Sequence, residues 1–190
     1  MNRERNQDDA RAEPRGLVRV GILVISDRAS RGEYDDESGK AINRFLNKTV
    51  QSNWLAVMKI VPDGIDSVAK ALVEMSDGED CDLVLTTGGT GPSPRDLTPE
   101  GTRMVITREL EGFGELMRRA SLEQVPTAIL SRQTAGTRGR CLIVNLPGRP
   151  AAIDVCLNAV FPAIPYCLDL IGARPIEVNP DVCDAFRPGA

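Results

Sequence analysis

Runs of apolar, β-branched residues alternate along this chain with stretches whose apolar positions recur at helical spacing. Val18–Ile25 (VRVGILVI) is apolar at nearly every position, which predicts a strand covered on both faces. The polar triplet Ser26-Asp27-Arg28 closes it as a loop. From about Asp36 to Leu46, residues Ala41, Ile42, Phe45 and Leu46 share one side and predict a helix. Trp54–Val61 reads as a second strand, ended by the turn residues Pro62-Asp63-Gly64. Asp66 or Ser67 is then placed to cap a helix running through Met75, with Val68, Leu72 and Met75 on its apolar side. Asp82–Thr86 is a third strand and leads into Gly88-Gly89-Thr90-Gly91. Thr98-Pro99 predicts a helix start with Thr98 as the cap and Pro99 in the first turn. A further helical pattern covers about Glu115 to Glu123. Cys141–Leu146 is another buried strand, followed by Pro147-Gly148 and by helix-forming sequence from Ala151 to Leu170 that Pro162 and Pro165 interrupt. Strands alternating with helices in this way predict an α/β fold: βαβ units, a mostly parallel central sheet, and helices on both faces.

The 190 residues fit one domain preceded by a tail. Met1–Gly16 carries balanced charge and almost no apolar residues, so it reads as a disordered leader, with residues 17–190 forming a single domain. Hydrophobic residues make up 42% and aromatics only 4%, so the core must be built from Leu, Ile, Val and Ala. The net charge of −4 argues against a nucleic-acid partner, which would want a basic face. A small anionic ligand remains compatible with it, because local Arg and backbone N–H groups can bind phosphate on an acidic protein.

The chain has no histidine, which removes imidazole bases, Ser-His-Asp triads and His-ligated zinc. Its five cysteines include no C-x-x-C pair and their number is odd. A disulfide framework or zinc ribbon is therefore not expected; most of the cysteines read as small buried hydrophobes in a reducing cytoplasm. No stretch approaches 18 apolar residues and the N-terminus lacks the apolar centre of a signal peptide, so no membrane partner is expected.

Ligands of open parallel sheets bind beyond the carboxyl ends of the strands. Ser26-Asp27-Arg28, Pro62-Asp63-Gly64, Thr86 to Gly91 and Asn145 to Gly148 would all meet at that edge. The glycine run is neither a Walker A loop nor a dinucleotide fingerprint. Its backbone N–H groups could approach an anion, or it could be a plain strand-to-helix turn. Asp63 and Asp96 are the carboxylates that stand out, each on a loop after a strand. They could serve as Asx-turn or cap residues, or as oxygen ligands for Mg²⁺. Asp27 and Asp35-Asp36 carry the same ambiguity. Arg95 and Arg132 could pair with phosphates or form surface salt bridges. Ser131 and Asn145 end apolar segments, where each could satisfy local backbone groups or reach a ligand.

Four segments together, VISDRAS (Val24–Ser30), DLVLTTGGTGPSPRDLTPE (Asp82–Glu100), PTAILSRQ (Pro126–Gln133) and NLPG (Asn145–Gly148), resemble the molybdenum-cofactor biosynthesis family, and within it the bacterial molybdopterin adenylyltransferase branch. The resemblance runs from about Val18 to the C-terminus. It implies a three-layer α/β fold assembled as a homotrimer, and transfer of AMP from Mg·ATP, as co-substrate, to the terminal phosphate of molybdopterin. Pyrophosphate is released, and the adenylylated pterin passes to a molybdate-inserting partner protein. The two functional acidic positions fall on Asp63 and Asp96, which would be catalytic and face Mg²⁺. The phosphate-binding turn falls on Gly88, Gly89, Thr90 and Gly91, with Thr87 leading into it. Substrate-binding positions fall on Ser26, Asp27, Ser121, Ser131, Asn145, Pro147 and Gly148. Two positions depart from the family's usual pattern: Glu111 stands where Pro is frequent, and Arg149 stands where an uncharged residue is common. A non-catalytic molybdopterin-binding scaffold, or a sister branch of the family, is the alternative reading.

Overall fold

A computed structural model describes residues 16–33 and 35–189. The leader expected over Met1–Gly16 thus lies outside the described residues, apart from Gly16 itself. The elements, in chain order, are β1 (Val18–Ile25), α1 (Asp27–Ser30), α2 (Glu37–Thr49), β2 (Trp54–Val61), α3 (Ile65–Val73), β3 (Leu83–Thr87), α4 (Thr98–Val105), β4 (Arg108–Glu109), α5 (Glu111–Leu122), β5 (Ala135–Arg138), β6 (Cys141–Leu146), α6 (Pro150–Val160) and α7 (Ile164–Leu170). They form one six-stranded sheet of order β2-β1-β3-β6-β5-β4. The first four strands in that order are parallel, and β5 and β4 add antiparallel at one edge.

The alternation hidden inside the apolar runs divides them between two cores. Val18, Val20 and Ile22 of β1, Leu83 and Leu85 of β3, and Leu142, Val144 and Leu146 of β6 face one side. There they meet Ile42, Phe45 and Leu46 of α2, Met117 of α5, Ile153 and Leu157 of α6, and Leu168 of α7. Leu23 and Ile25, Val84, and Cys141 and Ile143 point the other way, against Val68 and Leu72 of α3 and Val105 of α4. Successive side chains of a strand point to opposite faces, so a strand buried on both sides must be apolar throughout. The mostly parallel sheet with helices on both faces is therefore as expected.

Several local expectations differ. Ser26-Asp27-Arg28 is the start of the one-turn helix α1, whose first turn is capped by Ser26 Oγ accepting from Ala29 N. Asp36 caps α2 through Ser38 N and Gly39 N, and the helix runs beyond its expected end at Leu46 as far as Thr49. Neither Asp66 nor Ser67 caps α3: Gly64 precedes it with φ 139°, and Ser67 Oγ donates to the carbonyls of Pro62 and Gly64. The last turn, Glu74–Gly78, widens to a π-helix. Thr98 is the first residue of α4 rather than its cap, because its hydroxyl is drawn away to donate to Gly88 O at 2.9 Å. β4 and β5 have no counterpart in the sequence pattern: Arg108–Glu109 is exposed and two residues long, and AGTR offers no apolar period.

The expectation about apolar length is also corrected. Pro150–Leu170 is long and apolar enough, by length and composition, to cross a membrane. It folds instead as α6, a 3₁₀ turn at Phe161–Ala163, and α7, with Ile153, Leu157, Phe161, Ile164 and Leu168 fully buried in the larger core. The proline interruptions fall at the junctions, where a missing N–H costs least.

Candidate functional site

Register decides which loops meet. Ile25 pairs with Val61, Val24 with Thr87, and Thr87 with Leu146, so the four parallel strands end almost level. The residues that follow, Ser26, Pro62-Asp63, Gly88 and Pro147, are therefore neighbours in space.

The turn after β3 is held by backbone approach. Gly88 has φ 100°, and a Cβ built on it would stand 2.2 Å from Ile25 O. Only a residue without Cβ lets the exits of β3 and β1 come this close. Gly89, at φ 62°, leaves equally little room, since its Cβ would lie 2.3 Å from Thr98 Oγ1. Gly148 packs its Cα face on Gly88, and Thr87 Oγ1 donates to Pro147 O at 2.8 Å. Ser38 Oγ of α2 donates to Gly148 O at 2.8 Å, which ties the fourth exit loop to that helix.

On one side of this turn lies a charged cluster. Asp27 N donates to Asp63 Oδ2 at 2.8 Å, and Asp63 N donates to Asp27 Oδ1 at 3.2 Å, so the two carboxylates reciprocally fix the loops after β1 and β2. Arg95 joins them to the glycine loop: its Nη2 lies 2.6 Å from Asp27 Oδ2 and donates to Asp63 O at 3.3 Å. Asp96 Oδ2 accepts from Ser93 N at 3.0 Å and lies 2.8 Å from the place a Gly91 Cβ would occupy. Asp96 therefore adjoins the glycine loop directly, and Asp63 is connected to it through Arg95.

Arg132 is the fastener of that loop. Its Nε donates to Gly91 O at 2.8 Å, its Nη2 to Asp96 O, and its backbone N to Thr90 O at 2.8 Å. Glu100 takes the rest of the guanidinium. Burial raises the Glu100 carboxyl, but the Arg132 hydrogen bond and charge outweigh it, and the net shift is downward. Glu100 closes the segment Asp82–Glu100 that carries the resemblance, but its type and its place in the first turn of α4 look like those of any solvent-facing acid.

Next to the turn, reached through Thr90 and Gly91, is a cavity of about 390 Å³, within the range of small-molecule sites. Thr90, Gly91, Ser121, Ser131 and Pro147 line it, so five of the predicted substrate-binding residues meet there. Ser131 Oγ donates to Gln133 Oε1 at 2.8 Å, and Gln133 Nε2 in turn reaches Cys156 Sγ at 3.4 Å. Much of the remaining wall is apolar, with Val125, Ala128, Leu130 and Val155 contributing. These come from the 3₁₀ turn Pro126–Leu130, the residue before it, and α6. No strand-end rule points to that turn; the sequence marks it only through the family resemblance of Pro126–Gln133, and in the structure Ile129 and Leu130 are exposed.

Ser26, Asp27, Asp63, Thr87, Gly88, Gly89, Asp96 and Gly148 surround the glycine turn without lining this cavity. Asn145 lies one layer below. It is fully buried, and its Nδ2 donates to Thr86 Oγ1 at 3.1 Å and Thr102 Oγ1 at 3.0 Å, which ties β6 to β3 and α4. All five cysteines are free thiols, four of them buried and Cys167 partly so.

Among the described residues no three acidic or cysteine side chains gather to hold a metal ion. The donor set therefore does not amount to a dedicated metal cage. It fits the way Mg²⁺ commonly sits with nucleotides, on one or two carboxylates with the remaining ligands from phosphates and water.

A cavity and a carboxylate–glycine loop side by side at the switch edge of a parallel sheet narrow the comparison with known proteins. Residues 21–166 match the family described as "Probable molybdopterin binding domain". The chain belongs to that family. A molybdopterin adenylyltransferase of Helicobacter pylori (strain J99) is 54% identical over 171 residues, covering 90% of this chain and 97% of that protein. One from Escherichia coli (strain K12) is 42% identical over 183 residues, covering 90% and 94%. The crystal structure of the molybdopterin biosynthesis enzyme MoaB of Thermus thermophilus superimposes with a TM-score of 0.77 at 44% identity, covering 85% of this chain and all of that one.

Proposed function

We propose that this chain is a molybdopterin adenylyltransferase, transferring AMP from ATP to the terminal phosphate of molybdopterin in molybdenum-cofactor biosynthesis. The observation that carries this reading is the continuity, through Gly91, of the cavity with the loop that bears Asp96 and, through Arg95, with Asp63. One substrate can occupy the cavity while the triphosphate of the other lies against the glycine turn.

A phosphate oxygen of molybdopterin attacks the α-phosphorus of ATP. The new P–O bond forms as the bond to the bridging oxygen of the β-phosphate breaks, and that electron pair leaves on pyrophosphate. The attacking phosphate is already ionised at neutral pH, so no protein base is required, in keeping with a chain that has no histidine. What the protein contributes is alignment of two like-charged groups and compensation of charge on the leaving group. Backbone N–H groups of the Gly88–Gly91 turn would bind phosphate oxygens, and Thr90 and Ser131 would orient the pterin phosphate at the cavity end. Asp63 and Asp96 would hold the Mg²⁺ that accompanies ATP; bound there, it supplies charge neutralisation for the triphosphate. A homotrimer, a cytoplasmic location and hand-over to a molybdate-inserting partner belong to the same reading, supported by the family resemblance.

The test is pyrophosphate release measured with molybdopterin, ATP and Mg²⁺ together and with each omitted. Release should need all three, and mass analysis should find the AMP–molybdopterin adduct. Asp63→Asn and Asp96→Asn should each lower kcat by about 10²-fold while still binding molybdopterin. Wild-type turnover in both variants would refute their assignment, and absence of the adduct from the wild-type protein would leave only a binding scaffold.

A further inference from the structure

The cavity contains a single charged side chain among the described residues that line it, and that side chain is Arg149. The other two arginines near the glycine turn are already committed. Arg95 is paired with Asp27, and Arg132 is consumed by Glu100 and by the carbonyls of Gly91 and Asp96. Arg149 pairs with no carboxylate among the described residues and is exposed. Of the three, it alone has a charge the fold does not use.

Its position gives that charge a direction. Arg149 is the residue before α6, and its carbonyl accepts from Ala152 N at 2.9 Å, which begins the helix. No side chain caps that end, Pro150 lacks an N–H, and Ala151 and Ala152 line the cavity beside Arg149. The partial positive charge of an eleven-residue helix thus adds to the guanidinium at the same wall. The hydroxyls of Thr90 and Ser131 line the same cavity. The Thr90 hydroxyl, a helix start and a guanidinium with no carboxylate partner among the described residues therefore share one cavity with the apolar surface formed by Val125 and Leu130.

We infer that Arg149 is a specificity-determining residue that binds the phosphate of the pterin substrate and so fixes which end of that substrate faces the glycine turn. This rests on the adenylyltransferase reading for the substrate's name, but not for the prediction of an anionic occupant. A guanidinium suits the role because its planar fork can grip two phosphate oxygens at once, whereas the ammonium of lysine acts as a point charge.

The experiment compares wild type, Arg149→Ala and Arg149→Lys. Binding of molybdopterin and of its dephosphorylated form is followed by fluorescence without ATP, and steady-state transfer is measured with ATP. Arg149→Ala should weaken molybdopterin binding, and raise its KM, by about tenfold or more, with the KM for ATP unchanged. Arg149→Lys should recover part of the loss. The dephosphorylated pterin should bind wild type and Arg149→Ala alike. Because Arg149 is exposed and has no carboxylate partner among the described residues, the melting temperature of each variant should match wild type. Unchanged molybdopterin affinity in Arg149→Ala would overturn the inference, as would an equal loss for the two pterins, which would mark a merely structural role. Should wild type bind molybdopterin in this Arg149-dependent way yet form no AMP adduct, the binding assignment stands and the adenylyltransferase reading fails.

Discussion

Replacing Gly88 with alanine tests whether close backbone approach holds the site together. The added Cβ would begin 2.2 Å from Ile25 O. An ordinary carbon–oxygen contact needs about 3.3 Å, so the exits of β1 and β3 must separate by about 1 Å. A φ of 100° imposes a further backbone cost on any residue with a Cβ. Strain of this kind is worth about 1–3 kcal/mol and overpacking against a fixed neighbour about as much again, together about 4 kcal/mol. Gly139→Ala is the matched control: Gly139 also has positive φ, at 54°, but nothing lies within 4 Å of its Cβ position. It should cost only the left-handed term of about 1 kcal/mol. Urea unfolding followed by circular dichroism separates the two, with the Gly88→Ala midpoint lower than wild type by about 2 M at a slope of about 2 kcal/mol per M. A displacement of about 1 Å at a reacting centre also predicts an AMP-transfer rate down by about 10²-fold. Equal midpoints for the two variants, together with undiminished transfer by Gly88→Ala, would refute the reasoning.

Acid should unfold the protein through its paired carboxylates. Asp77 is held below its ordinary range by hydrogen bonding from Arg138, Glu109 by hydrogen bonds from Arg103 and then Thr134, and Glu100 by Arg132 against the opposing effect of burial. A carboxyl with a folded value below its unfolded one stabilises fully above the unfolded value and loses that contribution as pH falls through the folded one. The urea midpoint should therefore be level from about pH 8 to about pH 5 and decline below the unfolded carboxylate range near about pH 4; a midpoint that stays level down to about pH 3 would contradict this. Cys81 and Cys141 should be inert in the native state. Burial pushes the Cys81 thiol up to about 11 and the Cys141 thiol well above its usual value, so at about pH 8 roughly one Cys81 in a thousand is a thiolate. A thiol reagent should label all five cysteines in urea and leave Cys81 and Cys141 unlabelled in native protein; prompt native labelling of either would show that the core opens.

The strands most deeply placed in this fold are the most legible in its sequence. β1, β3 and β6 are short runs of apolar residues because each must satisfy a core on both faces, and that demand is written locally in residue type. β4 and β5 leave no such trace, since an exposed edge of two residues and a segment as small as AGTR are recruited by pairing within the sheet rather than by their own pattern. Thr98 shows the same limit for caps: Thr before Pro is a good local start, yet the tertiary demand of Gly88 O takes the hydroxyl. At the site, the sequence marks the loops that converge, because strand ends and turn residues are local features. It could not show that Asp27 and Asp63 bind each other's backbone, that Arg95 and Arg132 are spent within the protein while Arg149 is not, or that the turn Pro126–Leu130 walls the cavity. Those facts depend on the separation of residues far apart in the chain. Only the level ending of four parallel strands, and the packing that enforces it, sets those distances.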